Sequence, residues 1–278
     1  MSLSSNRKTE LESLCRKFRV DVIKQIYAAQ SGHSGGSLSA VEILTALYFE
    51  KANISAENSA DPARDRIVLS KGHAAPILYR ILIEKGFMPI EEFPSLRQLG
   101  SRLQGHPSSL HTPGVEISSG PLGIAFSAAL GMACALKLDN TGAYVYALLG
   151  DGEINEGVVW EAAMAARKFK ADNLIAILDL NGVQLDGPSD EIMPLLDVEA
   201  KWKAFGWNTI RCDGHDIAAV CEAIDQAKAN TGAPTIIIAE TVKGKGISFM
   251  EGNYVWHGSP IGEKEYKQAM AELGGAEV

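Results

Sequence analysis

Two short segments of this chain carry groups suited to holding a divalent cation: Gly150-Asp151-Gly152-Glu153 and Asp179-Leu180-Asn181-Gly182. Asp151 offers a carboxylate, Asn181 a carboxamide oxygen, and the backbone carbonyl of Val183 a third oxygen just beyond. A hard cation such as Mg²⁺ takes oxygen ligands in octahedral geometry and often shares them with a ligand phosphate. Gly150 and Gly152 would let the backbone come close to a diphosphate. A helix beginning near Glu156 could turn its free N–H groups toward the same anion. Taken singly, Gly-Asp-Gly and Asn-Gly are ordinary turn sequences. What makes the pair informative is its setting, because each follows an apolar run and the two lie thirty positions apart.

Those apolar runs imply the elements that must position the site. Residues 143–149 are continuously apolar, as in a parallel strand covered on both faces, and residues 173–180 read as another buried strand. Residues 156–169 between them have helical spacing, so the segment is a strand–helix–strand unit whose crossover is expected to be right-handed. Ligands of open parallel sheets bind beyond the carboxyl ends of the strands, which would bring Asp151 and Asn181 side by side. Further strands are expected at 65–70, 207–211 and 235–239, and helices at 9–29, 39–49, 72–83, 123–138 and 217–229. Ser39 followed by Glu42 reads as a capping box opening the second of these helices. Residues 31–37 read as a break, and residues 86–119 as a long ordered loop with short helices. Alternation of this kind predicts an α/β fold, a doubly wound, mainly parallel sheet with helices on both faces. No internal linker is visible, so residues 1–278 are taken as one domain with a short helical tail over 264–278.

Composition narrows the function classes. The chain has 278 residues, 46% of them hydrophobic, and a formal net charge of −8. It shows no basic patch of the kind nucleic-acid binding requires and no uninterrupted apolar stretch long enough to span a membrane. Cys15, Cys134, Cys212 and Cys221 form no C-x-x-C pair and read as free thiols of a reducing compartment. The N-terminus lacks an apolar signal core, so a cytoplasmic protein is expected.

Six segments, in order, carry a resemblance: Ser31-Gly-His33, Ser70-Lys-Gly-His73, Gly105-His-Pro107, Ser119-Gly-Pro-Leu-Gly123, Gly150-Asp-Gly-Glu-Ile-Asn-Glu-Gly157 and Val255-Trp-His-Gly258. Gly-Asp-Gly followed after about thirty residues by Asn resembles the motif of thiamine-diphosphate enzymes. The set as a whole resembles the N-terminal, diphosphate-binding domain of transketolases from about residue 30 to residue 258. The resemblance implies thiamine diphosphate and Mg²⁺ as cofactors, with the metal on Asp151, Asn181 and the Val183 carbonyl. It implies Gly152, His73, His257, Asn181 and Lys243 toward the diphosphate, and Gly120 and Leu122 toward the aminopyrimidine. It places His33, His106 and His257 along the substrate channel, and Glu156 between two active sites. His215, in Asp213-Gly-His-Asp216, sits in a similar segment but is assigned no role, and His111 falls outside the matched set.

In transketolases a glutamate on a second domain activates the pyrimidine, and this chain ends at Val278 without room for such a domain. The tail reads as a natural end rather than a cut. The resemblance therefore implies a partner chain of the transketolase C-terminal type, supplying that glutamate and the sugar-phosphate sites within a heterotetramer. The implied reaction is transfer of a two-carbon ketol unit from a ketose phosphate to an aldose. Three other readings stay open at this point. They are a branched-sugar or sulfosugar ketol transferase, a deoxyxylulose-phosphate-type synthase, and a non-catalytic regulatory paralogue.

Overall fold

A computed structural model describes residues 3–275. Five strands form a fully parallel sheet: β1 (Arg66–Leu69), β2 (Val145–Gly150), β3 (Leu174–Leu180), β4 (Asn208–Asp213) and β5 (Thr235–Glu240). Their order across the sheet is β1-β2-β3-β5-β4. The helices are α1 (Ser5–Ala29), α2 (Ser34–Ser39), α3 (Val41–Ala46), α4 (Ala75–Glu84), α5 (Ile124–Leu138), α6 (Gly157–Lys168), α7 (Ser189–Ile192), α8 (Val198–Ala204), α9 (Ile217–Ala229) and α10 (Glu263–Leu273). The expected tail helix is α10, closed by a left-handed Gly274. Residues 1, 2 and 276–278 of the expected domain lie outside the described residues.

Strand side chains alternate between two cores, as the two-residue period of a strand dictates. Tyr146, Leu148, Ile175, Ile177 and Ile237 pack with α1, α3, α4, α9 and α10 on one face. Val145, Ala147, Leu149, Ala176 and Leu178 pack with α5, α6 and α8 on the other. The chain steps from β1 to β2 to β3 with α5 and α6 on one face. It then passes over a position to β4 and returns to β5 through α9 on the opposite face. Step direction and covering face reverse together, so the crossovers keep a single hand. The doubly wound reading therefore holds.

The segment after α1 departs from expectation. Residues 34–39 are not a break but the helix α2, buried throughout, and α3 ends in a π turn over Leu47–Lys51. Ser39 is thus the last residue of a helix and not an N-cap. Its Oγ donates to Asp179 at 2.6 Å, and no side-chain cap bond starts α3. Glu42 does not close a capping box either; its carboxylate is held by both outer nitrogens of Arg19 at 2.6 and 2.7 Å. Burial of α2 against α1, α4 and the short turns at residues 72–74 and 254–257 outweighs the poor helix propensity of Ser-Gly-Gly-Ser. A Cβ on Gly36 would lie 2.9 Å from the His73 ring, so this approach requires glycine.

Candidate active site

The carboxyl ends of β1, β2, β3 and β5 converge on a cavity of about 520 Å³. The register pairs Gly150 with Asp179, which puts Asp151 and Asn181 on neighbouring tips. Asp151 is 2% exposed. Its Oδ1 accepts from the Gly152 N–H at 2.8 Å, and its Oδ2 accepts from the Gly182 N–H at 2.6 Å, clasping the two tips together. Burial, and then the Asp179 charge, push its carboxyl up to about 6 despite these two donors. A buried carboxylate of this kind gains from a cation beside it. Asn181 lines the same cavity, and its Oδ1 accepts from the Val183 N–H at 3.2 Å.

The Val183 carbonyl already attracts positive charge. The Lys243 ammonium donates to it at 3.0 Å and to the Gln184 carbonyl at 3.1 Å. The same ammonium meets His257 Nδ1 at 2.9 Å. Burial, with Lys71 nearby, draws Lys243 down to about 8. Among the described residues no group of three or more His, Cys, Asp or Glu could hold a metal alone. One carboxylate, a carboxamide and a carbonyl would leave a divalent ion with net positive charge, so this donor set suits an ion completed by an anionic ligand.

Four imidazoles line the same cavity. The His33 ring centroid lies 5.6 Å from that of His73, 5.7 Å from His106 and 5.3 Å from His257, and His73 lies 5.1 Å from His257. Burial lowers all four pKa values: His33 to about 4 and His257 to about 3, with His73 well below its usual range and His106 below it. They are therefore neutral near pH 7, each able to donate from one nitrogen and accept at the other. Lys243 can only donate, so His257 accepts at Nδ1 and carries its proton on Nε2. Arg97 Nη2 lies 3.4 Å from His33 Nδ1 and assigns the same tautomer there.

Every residue expected from the sequence lines this one cavity: His33, His73 and His106; Gly120 and Leu122; Asp151, Gly152 and Glu156; Asn181 and Val183; Lys243 and His257. Glu156 is the exposed N-cap of α6 at the rim. Three groups were not assigned from the sequence. Lys71 and Asp179 form a fully buried ion pair, and the Lys71 ammonium also donates to the Gly36 carbonyl at 3.0 Å. Burial raises the Asp179 carboxyl, but Lys71 and the Ser39 and Thr241 hydroxyls outweigh it and hold it below the usual range. Glu153 ties Ser70 Oγ to the backbone N–H groups of Gly123 and Gly150, the latter two at 2.8 and 3.0 Å. Arg97 adds a guanidinium beside Ser31 and His33. Lys71 and Glu153 sit inside two of the six resembling segments, and a charged residue flanked there by buried neighbours is the signal that could have found them.

Residues 10–277 match the family model described as the transketolase thiamine diphosphate binding domain. The chain belongs to the transketolase family. It is 43% identical over 269 residues to a protein of Clostridium sp. (strain MSTE9) named 6-deoxy-6-sulfo-D-fructose transketolase subunit SqwG, covering 97% of this chain and 98% of that one. It is 39% identical to one of the subunits of an apulose-4-phosphate transketolase of Phocaeicola vulgatus, covering 95% and 93%. A transketolase structure from Pichia stipitis superposes with a TM-score of 0.90 at 32% identity over 95% of this chain. That match spans only 41% of the Pichia stipitis transketolase chain, whereas the two bacterial subunits are matched along nearly their whole length.

Proposed function

We propose that this chain is the diphosphate-binding subunit of a two-subunit transketolase that moves a two-carbon ketol unit from a ketose phosphate to an aldose. The observation that carries the reading is the Asp151 carboxylate bridging the tips of β2 and β3 beside Asn181 and Val183, in one cavity with four neutral histidines. Asp151, Asn181 and the Val183 carbonyl would hold Mg²⁺ on the diphosphate of thiamine diphosphate, with the Gly152 backbone, His73 and Lys243 toward the same anion. Thiamine diphosphate, when bound, supplies the electron sink for carbanion chemistry.

This chain's residues then orient and exchange protons with the sugar. His33 and His257 present Nε2–H donors that can hold the donor carbonyl and hydroxyl oxygens. His106, also neutral, can accept a hydroxyl proton as the carbon–carbon bond breaks and return it as the new one forms. Gly120 and Leu122 bound the cofactor end, and Arg97 offers a cation to the anionic end of the sugar.

A second chain of the transketolase C-terminal type would supply the activating glutamate and the remaining anion-binding groups. The rim supports this, since Leu185, Ile192 and Met193 in the cavity lining are 59%, 44% and 56% exposed. Apolar side chains clustered at a cavity mouth mark a surface that another chain covers. Glu156 on the same rim would face the second active site of a heterotetramer. No helix among the described residues is long and apolar enough to cross a membrane. Sulfosugar and branched-sugar donors belong among the candidates because the relatives named above carry those substrates in their names.

The test is reconstitution. The chain should be assayed alone and with a C-terminal-type subunit, using a pentulose phosphate, sulfofructose and apulose 4-phosphate as donors. Ketol transfer by the pair, lost on Asp151→Ala, is expected. Strong transfer by the single chain would refute the partner requirement, and turnover unchanged by Asp151→Ala would refute the metal assignment.

A further inference from the structure

The mechanism above leaves His215 unused, and it does not line the cavity. It lies beyond β4, and its side chain touches two things. Its Nε2 accepts from the Val242 backbone N–H at 2.8 Å, and its Nδ1 lies 3.0 Å from Glu42 Oε2. An amide N–H can only donate, so the ring is held with its proton on Nδ1, directed to Glu42. Glu42 in turn holds Arg19 through both carboxylate oxygens. The Arg19 Nε reaches back to the Lys245 carbonyl at 3.2 Å.

These bonds seize the two ends of one tight turn. Lys245 N–H closes the turn onto the Val242 carbonyl at 3.2 Å, and Gly244 sits at its third position with φ +80°. The Val242 N–H is fixed by His215 and the Lys245 carbonyl by Arg19. Lys243 is the first of the two residues between them, and its ammonium is the one that grips the Val183 and Gln184 carbonyls and His257 Nδ1. Arg19 and Glu42 are 7% and 6% exposed, which makes the set a built-in brace and not a surface ion pair.

We propose that His215 is a positioning residue. Through the Arg19–Glu42–His215 brace it fixes the Val242–Lys245 turn, and so holds Lys243 against the β3 tip where the cation and diphosphate would bind. The cofactor arm of this inference rests on the function proposed above; the turn-fixing arm does not.

Three substitutions separate the roles. His215→Phe keeps the ring volume and loses both bonds. His215→Asn keeps a donor toward Glu42 but is too short to accept from Val242. His215→Gln can still reach Val242. Hydrogen exchange of the full chain without ligand should show residues 241–246 and 183–189 exchanging about tenfold faster in His215→Phe and His215→Asn, with the strands β2 and β3 unchanged. His215→Gln should restore the wild-type pattern. Thiamine diphosphate with Mg²⁺, titrated into the chain assembled with its C-terminal-type subunit, should bind about tenfold more weakly to the first two variants and within about threefold of wild type to the third.

Unchanged exchange at 241–246 in His215→Phe would overturn the proposal. So would wild-type cofactor affinity in His215→Asn, or faster exchange spread evenly over the sheet. Wild-type assembly that fails to bind the cofactor would sink the proposed function instead, and the exchange measurement would still decide the brace.

Discussion

Replacing Lys71 with Met isolates the cost of charge in the floor of the cavity. The Lys71 and Asp179 side chains are both 0% exposed, and they are each other's charged partner. Removing one member of a buried pair leaves the other as an uncompensated charge, which typically costs 3–5 kcal/mol. Two features place this site at the lower end. Asp179 would keep the hydrogen bonds from the Ser39 and Thr241 hydroxyls. Met would also fill the space of the lysine stem, so little cavity term is added. The expected loss is about 3 kcal/mol, or a fall in Tm of roughly 6–12 °C for a chain of this length. Urea unfolding followed by far-UV circular dichroism would measure it as a lower midpoint at unchanged slope. Adding Asp179→Asn to Lys71→Met removes the stranded charge and should recover all but about 1 kcal/mol. A single variant within about 1 kcal/mol of wild type would refute the reasoning, as would a double variant no more stable than the single one.

Two further predictions concern other parts of the site. Burial and the Arg97 charge depress the His33 pKa to about 4, so the unfolded chain takes up this proton near 6.5 while the folded chain does not. Stability from this group is present above pH 6.5 and is lost as pH falls toward 4. Urea unfolding at pH 7 and pH 5 should show wild type losing about 1 kcal/mol more than His33→Asn, after allowance for solvent screening; equal losses would contradict the assignment. Gly123 holds φ +80°, and an added Cβ would lie 2.5 Å from Val158 Cγ1. Gly123→Ala should therefore cost about 2 kcal/mol or more in thermal unfolding, and a neutral outcome would contradict the geometry.

The sheet was legible because β1, β2, β3 and β5 are buried and read as mostly apolar runs, while the polar, partly exposed edge strand β4 was marked only by its place in the alternation; all five fall within about two residues of their expected places. The strand-tip part of the candidate site was legible because Asp151 and Asn181 directly follow β2 and β3. Asp151 and Asn181 need only the register of β2 and β3 to meet. What escaped reading depended on contacts between distant segments. Nothing local marks Lys71 as the partner of Asp179, 108 positions away. Ser-Gly-Gly-Ser reads as a break because its helix is imposed by packing against α1, α4 and His73. The short helices α7 and α8 escaped for a related reason. α7 has only four residues, and α8 alternates charged and apolar residues over seven, too few for a period to show. Glu42 looked like a capping residue because its partners, Arg19 and His215, lie 23 and 173 positions away.

The central claim is that two neighbouring strand tips grip a cation that holds a diphosphate. Crystals of the assembled subunits grown with thiamine diphosphate, with Mn²⁺ in place of Mg²⁺, would locate the ion by its anomalous scattering. The account predicts a single peak within about 2.3 Å of an Asp151 carboxylate oxygen, the Asn181 carboxamide oxygen and the Val183 carbonyl, in contact with the diphosphate. A peak elsewhere, or a bound cofactor with Asp151 and Asn181 turned away from the ion, would contradict it.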